Sequence, residues 1–145
     1  MKDGHYINEY QEEVWVQDGK YHRLDGPAII YVDGSRQWYR NGRRHREDGP
    51  ARIWQDGSEE WFQYGRYHRE DGPAIIAKNG TQHWYQYGKR HREDGPAIIW
   101  LCEAKYYYLN DKEFKNEVLL RLEVQKLKRK EKEKLKTIKE RNARK

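Results

Sequence analysis

The chain has 145 residues, enough for one compact domain or one short repeat array with an appendage. Hydrophobic residues make up 35% of it and charged residues 37%, against an ordinary apolar share of about 45 to 50%, so any core must be thin and, with 14% aromatics, largely aromatic. The single cysteine, Cys102, excludes an internal disulfide or a cysteine-built metal site, the absence of any apolar run near 18 residues excludes a spanning helix, and the net charge of +6 sits almost wholly after residue 110.

The N-terminal stretch Met1 to Glu13 is polar and acidic, with neither an apolar signal region nor an Arg-rich transit helix, so a cytoplasmic location without membrane contact is expected. From there a 23-residue period governs the chain. His-Arg-x-Asp-Gly-Pro-Ala begins at His22, His45, His68 and His91. The repeat residues Gly26-Pro27, Gly49-Pro50, Gly72-Pro73 and Gly95-Pro96 contain every proline of the protein. Trp15, Trp38, Trp61 and Trp84 keep the same spacing, as do Gly19, Gly42, Gly65 and Gly88, and Ile7, Ile30, Ile53, Ile76 and Ile99.

One unit reads as a hairpin. Ala28 to Val32 is β-branched and aromatic, Asp33-Gly34-Ser35 is a turn, Arg36 to Arg40 is a second strand, and Asn41-Gly42 opens the return. A two-residue turn would place Trp38 on a face with Ile29 and Tyr31; a glycine bulge would place it with Ala28 and Ile30, and the uniformity of positions 28 and 30 favours the bulge. The uniform columns should then form the packed face and the variable ones the exposed face. In Asp-Gly-Pro, glycine is expected to supply a positive φ while proline fixes the start of a strand. One hairpin per unit predicts about ten short strands, stacked because a lone hairpin is not stable in water.

The repeat decays at Cys102-Glu103, Asn110-Asp111 and Phe114. Asn110 with Glu113 fits a capping box, and Phe114, Val118 and Leu122 share a helical face, which predicts a helix over 112 to 127 covering the last hairpin. Residues 126 to 145 are basic, with interleaved glutamates and too few apolar residues for a coiled-coil seam, and are expected to be a solvated helix or a disordered tail. The expected fold is thus mainly β, an elongated antiparallel hairpin sheet over 1–111, with a capping helix and basic tail over 112–145.

The His-Arg-x-Asp-Gly-Pro-Ala motif, the Asp-Gly turns and the Trp-x-x-x-Gly-Lys/Arg elements resemble MORN-like hairpin repeats, and more closely the divergent repeats of tailed-phage and giant-virus proteins. The resemblance covers about residues 5 to 114. It departs from the usual MORN pattern, since Arg follows the His where Gly is usual and Asp-Gly-Pro is additional. It implies a fold and a viral source, not a reaction.

Histidines and acids recurring in a motif invite a metal or catalytic reading, which geometry opposes. Equivalent side chains two strands apart lie roughly 10 Å from one another, whereas zinc holds its nitrogens at about 2.0 to 2.1 Å. No catalytic residue, metal or cofactor is therefore expected; Arg46 and Asp48 should pair within the loop and His45 should bond its backbone. The Trp column reads as core, which leaves variable residues as candidates for partner binding: Tyr31, Arg36, Trp54, Glu59, His83 and Trp100. The tail cations Lys126, Lys128, Arg129, Lys130, Lys132, Lys134, Lys136, Lys139 and Arg141 could neutralise phosphates. The function expected is a non-enzymatic module that recognises a host protein or protein–nucleic acid complex, in a phage an inhibitor of a bacterial defence system such as CRISPR; the alternative is direct RNA or DNA binding through the basic helix.

Overall fold

The computed structural model describes residues 1–143; Arg144 and Lys145 lie outside the described residues. The chain is mainly β, an open antiparallel sheet of hairpins with one C-terminal helix. The first unit holds β1 (Gly4–Ile7), β2 (Glu13–Gln17) and β3 (Lys20–Tyr21). The second holds β4 (Ile29–Ile30), β5 (Arg36–Gln37), β6 (Tyr39–Arg40) and β7 (Arg43–Arg44). The third repeats the pattern with β8 (Arg52–Ile53), β9 (Glu59–Glu60), β10 (Phe62–Gln63) and β11 (Arg66–Tyr67). The fourth does so with β12 (Ile75–Ile76), β13 (Gln82–His83), β14 (Tyr85–Gln86) and β15 (Lys89–Arg90). Then come β16 (Ile98–Ile99), β17 (Lys105–Leu109), β18 (Lys112–Phe114) and the helix α1 (Glu117–Ala143).

Each interior unit therefore carries two hairpins where the sequence suggested one, and the strands number eighteen, not about ten, among the described residues. The cause is a change of partner at the tryptophan. Trp38 N–H donates to the Ala51 carbonyl of the next unit at 2.8 Å, while the Trp38 carbonyl accepts from His45 N–H of its own return strand at 3.1 Å. Before Trp38 the strand belongs to the main sheet, ordered β1-β2-β4-β5-β8-β9-β12-β13-β16-β17-β18. After it, β6 pairs only with β7, as β10 does with β11 and β14 with β15, making a row of small wing hairpins.

The turn register is the one the uniform columns favoured. Ile29 faces Gln37 and Ile30 faces Arg36, Tyr31 N–H donates to the Ser35 carbonyl at 2.9 Å, and Gly34 has φ +88°, a three-residue loop with a glycine bulge. The wing turn is a two-residue one with positive φ at both places, Asn41 at 50° and Gly42 at 75°.

The division into packed and exposed faces is different from the expected one. The alanine column (Ala28, Ala51, Ala74, Ala97) is wholly buried, but the isoleucines of the 30 column are half-buried and Ile7 is exposed. The variable face holds Val14, Val16 and Ile29 in one buried cluster with Tyr6, Tyr21, Tyr31 and Tyr39, and Phe62 and Ile98 are buried on it too. The wings explain the reversal: they fold toward this face, so that Arg44 of a wing reaches Gln37 of the main sheet at 2.9 Å. Column uniformity marked the backbone's requirements, and the bend determined what is covered.

At the C-terminal end, Asn110 (φ 50°) and Asp111 (φ 67°) form the last turn and Lys112–Phe114 completes a hairpin with β17. The helix starts later than 112, at Glu117, with Asn116 as its cap, its Oδ1 accepting from Leu119 N–H at 3.0 Å. Asn110 instead engages the His91 ring. Leu120 and Val124 pack on Leu109, Tyr107 and Phe114, while Val118 and Leu122, expected on the covering face, are exposed. Every residue from Gln125 to Ala143 is exposed and helical, so the basic segment is a projecting helix.

Candidate functional site

The recurring motif builds a clasp at each loop. Arg69 donates from Nε to Asp71 Oδ1 at 3.0 Å and from a terminal nitrogen to the Pro73 carbonyl at 3.2 Å, and its guanidinium lies 4.0 Å over Trp61. Arg23, Arg46 and Arg92 repeat this over Trp15, Trp38 and Trp84 at 3.9 to 4.2 Å. The guanidinium hydrogen bond holds the carboxyls of Asp25, Asp48, Asp71 and Asp94 below the usual aspartate range. The loop glycine has no positive φ, contrary to expectation; a Cβ at Gly72 would lie 2.9 Å from Arg69 Cζ, and Gly26, Gly49 and Gly95 face the same crowding. Glycine is there because the arginine passes close by.

The histidine, expected to bond its own loop, ties units together instead. Its Nδ1 accepts from the wing turn of the next unit: His45 from Tyr64 N–H at 3.2 Å, His68 from Tyr87 at 3.1 Å, His22 from Asn41 at 3.2 Å and His91 from Asn110 at 3.3 Å. Successive clasps bound a row of grooves of about 390, 600 and 590 Å³, floored by Trp38, Trp61 and Trp84. Among the described residues no cluster of three or more His, Cys, Asp and Glu is placed to hold a metal ion.

The six partner-binding candidates divide between the two faces. Tyr31, Trp54, His83 and Trp100 lie on the bent-in face; Arg36 and Glu59 alternate to the other, opposite Ile53. On the bent-in face each unit has its own polar network. Gln37 donates to Tyr31 Oη at 2.8 Å and accepts from Tyr39 and Arg44, both at 2.9 Å. In the next unit Trp54 Nε1 donates to Glu60 Oε1 at 3.0 Å, Tyr67 donates to Glu60 Oε2 at 3.3 Å, and the Arg52 guanidinium lies 3.4 Å over Trp54. Burial, then Glu60, pushes the Tyr67 phenol up. In the fourth, His83 meets Trp100 edge-on at 5.2 Å, and burial pulls its pKa down.

Trp54 and Trp100 remain 36% and 44% exposed at the edge of this face, beside bulged turns whose positive-φ residue is Gly57 after Trp54 and Glu103 after Trp100. Of the tail cations, Lys128 reaches back to Glu93 at 3.2 Å, Lys126 pairs with Glu123 at 4.0 Å and Lys136 with Glu140 at 3.9 Å. Arg129, Lys130, Lys132, Lys134, Lys139 and Arg141 line the exposed helix. Sequence reasoning missed the Arg52–Glu60 pair, although a signal existed: the one unit that replaces isoleucine by Arg52 is the one that has glutamate at position 60.

Compared with models of known protein families and with curated proteins, the sequence matches none. No helix among the described residues is long and apolar enough to cross a membrane.

Proposed function

We propose that the chain is a non-enzymatic binding module of the MORN-like hairpin type, recognising a protein or protein–nucleic acid complex through the exposed aromatic edge of the bent-in face. The observation that supports this most is Trp54. It is fixed by Arg52 on one ring face and by Glu60 at its Nε1, yet a third of it stays open to solvent, so it would enter an interface already ordered and lose little side-chain entropy there. Its column changes from unit to unit, Tyr31, Trp54, Ala77 and Trp100, on a backbone whose pairing does not change. A constant frame with variable side chains is what selective recognition by a repeat array needs.

Host-complex inhibition by a viral protein is the version of this reading that the motif resemblance adds. The experiment is affinity capture of the partner from the native host, followed by calorimetry on folded variants. Trp54→Ala should weaken binding by roughly 1 to 4 kcal/mol, and removal of residues 128–145 by less at physiological salt. The reverse ranking would overturn the sheet-edge reading in favour of the second one, direct nucleic acid binding by the helix, which its run of exposed lysines supports. In that case affinity should fall by up to about 0.9 log units per log unit of salt for each B-DNA phosphate neutralised.

A further inference from the structure

We propose that the row of clasp grooves is a docking surface for the basic helix of a second copy of this chain, giving a reciprocal dimer. This surface is separate from the aromatic edge, and the inference does not depend on the function proposed above.

The fourth unit shows what such a groove accepts. The groove between the third and fourth clasps is lined by Glu70, Asp71, Trp84, Glu93 and, from the helix, Lys128, whose ammonium sits 3.2 Å from Glu93. Neither earlier groove has a lysine; the one on Trp61 keeps the full carboxylate rim, while in the one on Trp38 Leu24 stands where the later clasps have glutamate. In the second unit Arg40 takes that role, 3.1 Å from Glu47. Position 40 becomes Gln63 in the third unit, and Glu70 is left with His68 alone, at 3.8 Å. Its carboxylate is 79% exposed.

Beyond Lys128 the helix leaves the array. Its cations Lys132, Lys136 and Lys139 continue the stripe of Lys128 at helical spacing, with Leu135 among them, half exposed. The two periods match. Two helical turns advance about 10.8 Å, and two strands, which separate one clasp from the next, about 9.6 Å. A helix laid along the loop edge would therefore present a lysine to each successive groove. Residues 128–143 cover about 24 Å, enough for at least two. The projecting helix is too stiff to fold back onto its own earlier grooves, so a second copy supplies them, and a twofold axis lets each chain give a helix and receive one.

Two exposed tyrosines pack against groove histidines. Tyr64 and Tyr87, 58% and 63% exposed, stand at the wing turns with φ 48° and 50°, where the other units use Asp18, Asn41 and Asn110. Each ring lies over a groove histidine, His45 at 4.3 Å and His68 at 4.4 Å. Their outer faces offer cation–π partners to lysines passing along the edge.

The test is sedimentation velocity of the whole chain over a concentration series. Wild type should dimerise, the more weakly the higher the salt. Glu70→Lys alone, and Lys132→Glu with Lys136→Glu, should each weaken the dimer by about tenfold; these side chains are exposed, and circular dichroism checks that folding is unchanged. Combining the three substitutions should restore much of the loss, because the charges are exchanged across the same contact. A chain that stays monomeric at its highest soluble concentration overturns the proposal, as does a dimer indifferent to these charges or to removal of residues 129–145.

Discussion

The two faces of the array use opposite strategies. On one, the Trp–Arg–Asp–Pro clasp is built from the same residues in every unit and at nearly the same distances, 3.9 to 4.2 Å from guanidinium to indole. On the other, a hydrocarbon cluster around Val14 and Ile29 gives way to Gln37 with its tyrosines, then to Arg52, Glu60 and Trp54, and then to His83 with Trp100. The clasp recurs because one loop geometry must be made in every unit. The networks differ because several side-chain sets can fill the same bend once the loops hold the backbone.

Breaking a clasp should have the largest effect. Arg69→Ala removes a stack, an ion pair and a bond to the Pro73 carbonyl together, and should lower stability by about 2 kcal/mol in urea denaturation, more than removal of any single hydrogen bond of the bent-in face. Next comes Gly72→Ala, expected to cost about 1 kcal/mol through the displaced guanidinium. Combined with Arg69→Ala it should add almost nothing, since the group it crowds is gone; an unchanged cost in the double variant would return the explanation to backbone strain.

The smallest effect belongs to the variable face. Burial lowers the pKa of His83, so the folded state binds a proton less readily than the unfolded chain. The corresponding stability is fully present above about pH 6.5, the ordinary imidazole value, and is lost as pH falls through it toward the folded-state value. A urea midpoint followed from about pH 7.5 to about 5.5 should therefore fall in the wild type and fall less in His83→Gln.

Much of the local geometry was legible in the residues. The 23-residue period, the bulged Asp-Gly turn, the Arg–Asp pairing in each loop and the single C-terminal helix follow from turn chemistry and spacing, which act over a few residues. What escaped depends on distant parts of the chain. The wing hairpins arise because Trp38 can bond Ala51 of the next unit with its N–H and His45 of its own with its carbonyl. Once the wings exist, Gln37 and Ile29 are covered and the Trp column is left half open beneath an arginine. The helix start at Glu117 was displaced for a similar reason: Lys112 to Phe114 has no strand signature by itself and becomes a strand because Tyr107 to Leu109 offers it an edge. The candidate site was half legible, since composition identified the aromatic column while the division of the six residues between faces needed the register.

The histidine link has a consequence for how such a protein can change over generations. The loop of each unit is closed by the wing turn of its successor, through His45 and Tyr64 or His68 and Tyr87, and Gly65 N–H likewise donates to the Arg44 carbonyl at 2.8 Å. Excising 23 residues from the interior, or inserting another 23, brings together ends that already know how to meet. The last clasp is closed in the same way, by Asn110 of the final turn, and the helix then covers the end of the array. Copy number is then a heritable dimension that a lineage can lengthen or shorten in single steps, with the first strand and the final helix carried along as fixed bookends.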